Sequence, residues 1–445
     1  MTQVVDRPIG TDPYLTAFAR AREAGAGGPA WLRSVREAAI ARFGELGFPT
    51  SRDEDWRFTS VAPIVERVFQ PAPAVAPRVT AADLAPYVFG GDGAARLVFV
   101  NGRHAPALSV PGAWPAGVQV GDLAAALAAA PAALEPHLTR LAGFETHPFT
   151  ALNTALFDGG ALVVVPPGVV LDRPIHLMFV STAPEGPVVT HPRVLIVSGE
   201  NSQVRLVESH VGVGEGTYFV NTVTEVVAEA NAVVDHYKVQ RESLRGYHVG
   251  SLHVRLARST NFSSHSIALG AALARNDAVA LLDGEGGECT LNGLYLVDGR
   301  RLVDNHTTID HAKPHCDSHE VYKGILSGQG QGVFNGKIIV RPDAQKTDAK
   351  QTNRALLLSD DAQINTKPQL EIFADDVKCT HGAAVGQLDD DAVFYLRSRG
   401  LDFDQARALL IQAFAGDILG RIRVEPLREQ LEAEMVRQLP GGAAV

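Results

Sequence analysis

Between residues 161 and 382 the chain alternates apolar and polar positions in short bursts. "ALVVV", "RVLIV", "QVRLVES", "TEVVAEA", "AVVDHYKV", "SLHVRLA" and "NGLYLV" are rich in β-branched residues, and Gly, Asn and Asp separate them. This texture predicts strands, with no long helical stripe between them. Asn201, Asn231 and Asn261 recur at intervals of 30 residues in similar turn contexts. A fixed period of this kind predicts stacked coils, hence a β-solenoid. A β-sandwich is the alternative, but the region is longer than the roughly 100 residues of a usual sandwich.

The flanks follow a helical period. "PAWLRSVREAAIARFGELG" places Leu32, Val35, Ala39, Phe43 and Leu46 on one face, with Pro29 suited to its first turn and Gly47 and Pro49 stopping it. "SRDEDWRFTSV" and a Pro/Ala-rich linker follow. "ARLVFVNGRHAP" reads as a strand entering an Asn-Gly turn. "GDLAAALAAAPAALEPHLTRLAG" is an alanine-rich helix interrupted at Pro131. Beyond Asp389, three helices are expected. In the second of them Ala406, Leu409, Leu410, Ala413, Phe414 and Ile418 form the expected apolar face. The organisation expected is a mainly helical N-terminal domain over 1–155, a β core over 156–388 and a C-terminal helical domain over 389–445.

Composition narrows the function. The 445 residues are 46% hydrophobic and 20% charged, with a formal net charge of -10. That balance argues against a nucleic-acid partner, whose phosphates need basic patches. No window carries the roughly 18 apolar residues of a membrane span, and the first thirty residues contain no apolar signal core, so a cytoplasmic location is expected. Cys289, Cys316 and Cys379 lie far apart, which fits a reducing compartment better than a disulfide framework.

Three stretches could carry chemistry. "GQGQGVFNGKI" resembles a phosphate loop, but Gly332 and Gly336 stand one residue too close and Ile338 replaces the Ser or Thr that would hold magnesium, so no nucleotide site is expected. "DNHTTIDHAKPHCDSHEVYKG" concentrates His306, His311, His315, His319 and Cys316. Pro314 breaks any helix that would align His311 with His315, and strand parity divides the set between faces, so stacked side-chain ladders are expected there. The third is "EIFADDVKCTHGAAVGQLD". Two residues apart on a strand, Cys379 and His381 project from one face while Thr380 points away. A thiol and an imidazole make at most half of a metal site, and a small packed cysteine beside a hydrogen-bonded histidine is the competing reading.

The stretch "QTNRALLLSDDAQINTKPQLEIFADDVKCTHGAAVGQLDDDAVFYLRSRG", together with "SHEVYKGIL" and "DEDWRF", resembles the SufB/SufD family of iron–sulfur cluster assembly scaffolds, on its SufD branch. Ala384 stands where a Thr is common. The resemblance covers nearly the whole chain. It implies a mainly β fold, a right-handed parallel β-helix between helical regions. It also implies a non-catalytic subunit that pairs with a SufB-like paralogue and docks two copies of the ATPase SufC. It further implies a transient iron–sulfur cluster or iron shared with SufB, with His381 and Cys379, which match the family's His and adjacent Cys, as the candidate ligands. Phe414 and Ile418 are the expected anchors for the ATPase. The rivals are a SufB-like subunit or a homodimer of the same fold, and, from another class, a β-helix carbohydrate-active enzyme. The enzyme needs convergent acids, and Asp375 and Asp376, being adjacent, make a poor acid/base pair.

Overall fold

The computed structural model describes residues 10–25, 27–73, 79–90, 94–183 and 185–438. From Gly160 the chain winds into a β-solenoid of about 8 coils, each laying one strand in each of two sheets. One sheet runs through Gly160–Val165, Arg193–Ser198, Tyr218–Ala228, Tyr247–Leu256, Leu273–Leu282, Leu302–His311, Gln331–Val340 and Gln363–Ile372. The other runs through Ile175–Ser181, Gln203–Gly212, Val233–Arg241, Asn261–Ala268, Glu288–Val297, Asp317–Leu326, Asp348–Leu357 and Lys378–Gly386. Every pairing between coils is parallel, so residues stack in columns such as Phe262, Cys289, Ser318, Ala349 and Cys379. Strands buried on both faces explain the near-continuous apolar runs of the early coils.

One corner explains the thirty-residue rhythm. Gly168, Asn201, Asn231, Ser259, Gly286, His315 and Lys346 all adopt a positive φ. The N–H of each donates to a carbonyl one coil further on, from Gly168 to Glu200 at 2.8 Å to Lys346 to Asp376 at 2.7 Å. The Asn231 side chain also donates to that of Asn201 at 2.9 Å. Asn and Gly tolerate this left-handed conformation. Asn261 falls outside the ladder: it begins a strand, and Ser259 takes the corner because the repeat shortens there.

The solenoid's first end is covered. The strand Arg96–Val100 pairs in parallel with Ile175–Ser181, and Gln119–Asp122 pairs antiparallel with Gly160–Val165. The expected Asn-Gly turn is present, with Asn101 and Gly102 at φ 48 and 83. Helix Ala30–Leu46 buries Leu32, Ala39 and Phe43, and Gly47 ends it at positive φ. "DEDWRF" lies along the solenoid flank: Trp56 stacks over the Arg275 guanidinium at 4.2 Å, Arg275 donates to the Asp55 carbonyl at 2.7 Å, and Lys367 pairs with Glu54 at 2.5 Å.

The deepest tie between flank and solenoid is ionic. Arg193 and Glu225, both fully buried, meet at 2.6 Å. Arg193 also donates to Asn153 and Thr154, while Glu225 accepts backbone N–H groups of Thr139, Leu141 and Ala142. Removing one partner strands the other charge. Arg193→Met is expected to destabilise the protein by about 3–5 kcal/mol, and Arg193→Met with Glu225→Gln by less. Urea denaturation followed by circular dichroism checks both, and an unchanged midpoint for the single variant contradicts the assignment.

The helices Asp390–Ser398, Phe403–Leu419 and Glu425–Gln438 follow the solenoid. The second and third cover the outer face of the second sheet, where Ile267, Leu294, Leu296, Ile325 and Leu356 meet Ile411, Ala415, Ile418, Leu419, Leu427 and Leu431. Phe403–Leu419 is apolar on most sides, so periodicity placed only part of its buried face, with Ala406 and Ile418 inside as expected. Ala406, Ala408, Ile411, Ala415, Ile418 and Leu419 are inside, while Leu409 is 44% exposed.

Candidate functional site

The second end of the solenoid is open. Lys378–Gly386 pairs only with Asp348–Leu357, and Gln363–Ile372 only with Gln331–Val340. Among the described residues no strand lies on their outer edges. Every residue of Lys378–Gly386 except Cys379 is exposed, and Ile372, Phe373 and Val385 put apolar surface there. An uncovered parallel edge carries a row of unpaired backbone donors and acceptors, which natural proteins rarely leave unpartnered.

Cys379 and His381 sit on that last strand. Cys379 stacks on Ala349 and packs with Leu370 and Val377 against the cluster of Ile338, Val340, Ala344 and Ala374. His381 stacks on Gln351 and continues the column of Leu291 and Glu320. Both therefore occupy columns that face the lumen in the coils below, and His381 is exposed because no coil follows. Burial pushes the Cys379 thiol above the ordinary range. The thiol is thus protonated at neutral pH and must lose its proton to bind a soft cation. Among the described residues no group of three or more His, Cys, Asp or Glu is placed to hold a metal ion.

The histidine-rich stretch disperses. His306 faces outward and pairs with Asp304 at 3.0 Å, whereas buried His311 meets the Ser318 hydroxyl at 2.9 Å. His315 occupies the positive-φ corner, Cys316 donates to the Gly284 carbonyl at 3.3 Å, and His319 is exposed on its strand. The glycine-rich stretch is equally structural: Gly328 turns a corner at φ 61, and Gln331–Val340 is a strand inside the first sheet. Asp375 and Asp376 lie in a turn, not on a strand, and Asp376 pairs with Lys346.

The expected docking anchors are largely committed within the chain. Ile418 has no exposed surface and packs on the solenoid. Phe414 is half-buried, with the Lys323 ammonium over its ring at 4.6 Å and bonded to its carbonyl at 3.0 Å. The free apolar surface lies on the other side of these helices: Phe394 is 73% exposed, and Tyr395, Phe403 and Leu409 are exposed beside it. Arg399 lies over Tyr395, and Arg397 and Arg407 lie near the Phe403 ring. Aromatic residues in "DDDAVFYLRSRG" were the sequence signal for this face, since that helix has too few core positions to bury them. No helix among the described residues is long and apolar enough to cross a membrane.

The fold and its ends define a class: a β-solenoid closed at one end by its own chain and, among the described residues, without a covering strand at the other. Comparison with known families gives that class its identity. Residues 11–177 match the SufBD protein N-terminal region, and residues 179–414 match the SufBD core domain of the SUF system for FeS cluster assembly. An iron-sulfur cluster assembly SufBD family protein of Synechocystis is 36% identical over 409 residues, covering 90% of this chain and 89% of that one. The iron-sulfur cluster assembly protein SufD of Escherichia coli is 33% identical over 401 residues, covering 89% and 90% respectively. A chloroplastic protein of Arabidopsis thaliana, ABCI7, is 28% identical over 409 residues, covering 90% and 84%. The chain belongs to the SufB/SufD family of iron–sulfur cluster assembly proteins.

Cysteine exposure offers a direct check on the site. Cys289 and Cys316 are buried, and Cys379 is half-buried. Iodoacetamide is expected to label Cys379 alone in the native chain, with a rate that rises only above the ordinary thiol range, and to reach the other two after unfolding. Peptide mass spectrometry reads the result. Native labelling of Cys289 or Cys316 ahead of Cys379 contradicts the placement.

Proposed function

We propose that this chain is a SufD-like, non-catalytic subunit of a cluster-assembly scaffold, completed at its open end by a SufB-like paralogue. The observation that carries the reading is the unpaired edge of Lys378–Gly386, which holds Cys379 and His381 on one face. Iron or a nascent cluster is cargo at that interface, with the remaining ligands supplied across it. His381 is the direct ligand, because a neutral imidazole binds iron without first losing a proton. Cys379 ligates once deprotonated, or packs at the interface. The chain itself binds no nucleotide. A SufC-type ATPase docks on the helical face around Phe394, Tyr395, Phe403 and Leu409, since large exposed aromatic residues dominate such contacts. That face begins only a few residues beyond the last strand, so movement of docked ATPase subunits is transmitted to the edge.

Assembled complexes of wild type, Cys379→Ala and His381→Ala test the site. All three are expected to retain both partners, while His381→Ala loses most of its iron and acid-labile sulfide. Wild-type loading in His381→Ala contradicts the reading. Phe394→Asp is expected to abolish ATPase binding without altering the circular dichroism of the chain, whereas Phe414→Asp is expected to unfold the helix packing. Native mass spectrometry distinguishes a heterodimer from a homodimer on the same edge.

A further inference from the structure

A cleft of about 460 Å³ lies on the outer face of the first sheet, outside the solenoid. Its walls are two pieces of the N-terminal flank, residues 53–56 and the start of helix Pro148–Leu156. Trp56 anchors the first wall on the Arg275 guanidinium at 4.2 Å and on the Phe149 ring at 5.1 Å. The floor is a column in which His253, Val279, Thr308 and Lys337 stack in register, roughly 14 Å long. Two features at the His253 end call for an anion. Helix Pro148–Leu156 has nine residues, a proline at its start and no side-chain cap, so the N–H groups of Phe149 and Thr150 are left for an outside acceptor. His253 is only 7% exposed, and its Nε2 is buried with no partner among the described residues. Its in-register neighbour Glu225 is already taken by Arg193 and by the N–H groups of Thr139, Leu141 and Ala142. Ser251, two residues before His253 on the same face, also buries an unpartnered hydroxyl.

We infer that this cleft is a binding site for a small monocarboxylate, held between the start of helix Pro148–Leu156 and the His253 and Ser251 side chains, with its body over Val279 and Thr308. Burial, helped by Arg193 and His147 nearby and opposed by Glu225 and Asp277, pushes His253 down to about 4. The ring is therefore neutral at neutral pH, and its Nε2–H tautomer donates to the carboxylate without taking up a proton. The proximity of His147 to that ring also puts the helix start and His253 at the same end of the cleft. The lining favours one negative charge over two. Its cations are engaged, Arg275 with Asp277 and Asp304 at 2.7 Å each and Lys337 with Glu371 at 3.2 Å. Asp53, Glu54 and Asp55 stand exposed along the rim. A dianionic phosphate needs charged partners that this lining does not offer, whereas a carboxylate is satisfied by helix N–H groups and a neutral imidazole. Leu46, Pro49, Val249 and Val279 give the apolar contact that a small-molecule site needs beside its few polar groups. The "DEDWRF" stretch thereby gains a role as the wall of a site. None of these residues lies on Lys378–Gly386, so the site is independent of the reading of the open edge.

Sodium benzoate titrated into the full chain, with its histidine imidazoles labelled for nitrogen NMR, tests the site. A saturable shift of one ring is expected, the ring whose signal is missing in His253→Asn. Val279→Phe fills the floor without removing a polar group, and it keeps the test open should His253→Asn unfold. Affinity is expected to fall about tenfold or more in either variant, with the circular dichroism of Val279→Phe unchanged. Benzamide, of the same shape but uncharged, is expected not to saturate over the same range, and phenyl phosphate to bind more weakly than benzoate. A His253 ring that shows no saturable shift with benzoate overturns the site, as does undiminished affinity in folded Val279→Phe. Equal binding of benzamide, or tighter binding of phenyl phosphate, overturns the monocarboxylate assignment.

Discussion

A parallel β-solenoid satisfies its backbone only by stacking, so each of its two ends exposes a row of donors and acceptors that the coils themselves cannot pair. This chain treats its ends differently. The first is covered by Arg96–Val100 and Gln119–Asp122, and the buried Arg193–Glu225 pair fastens the neighbouring segment to the flank. The second stops at Gln363–Ile372 and Lys378–Gly386 with no strand laid against it among the described residues. The placement of the candidate chemistry follows from that asymmetry. Cys379 and His381 occupy lumen-facing columns, and such positions reach solvent only on the last coil.

The same columns connect the site to the interior. His381 continues the line of Leu291, Glu320 and Gln351, and Cys379 that of Cys289, Ser318 and Ala349. A side chain on the exposed rim therefore rests on buried neighbours. The C-terminal helices are positioned by a different rule. Their apolar side covers the outer face of the second sheet, which leaves Phe394, Tyr395, Phe403 and Leu409 outward, close in sequence to the open edge. One short stretch of chain thus links a free edge to a free aromatic face.

Much of this was legible in the residues. Short β-branched runs reported the strands, and the corner positions at Asn201 and Asn231 reported the coil period, because asparagine tolerates positive φ. The third asparagine misled, since one coil is shorter and its corner falls on Ser259. Strand parity put Cys379 and His381 on one face. It could not show that the face is the lumen side of a last coil, which depends on where stacking stops. The buried face of Phe403–Leu419 was not legible either. With apolar residues on most sides, only the sheet it covers decides that Ile411, Ala415 and Ile418 turn inward. The inward-facing Glu320 gave no signal at all, because an acidic residue in an alternating strand reads as solvent-facing until the register is known.

The central claim is that the open edge is completed by a paralogous subunit. Backbone hydrogen exchange across 363–372 and 378–386, measured for the chain alone and after addition of a SufB-like partner, tests it most directly. Protection of both strands on complex formation, with the first coils unchanged, is the predicted result. A complex that forms while both strands exchange as fast as in the free chain would contradict the account.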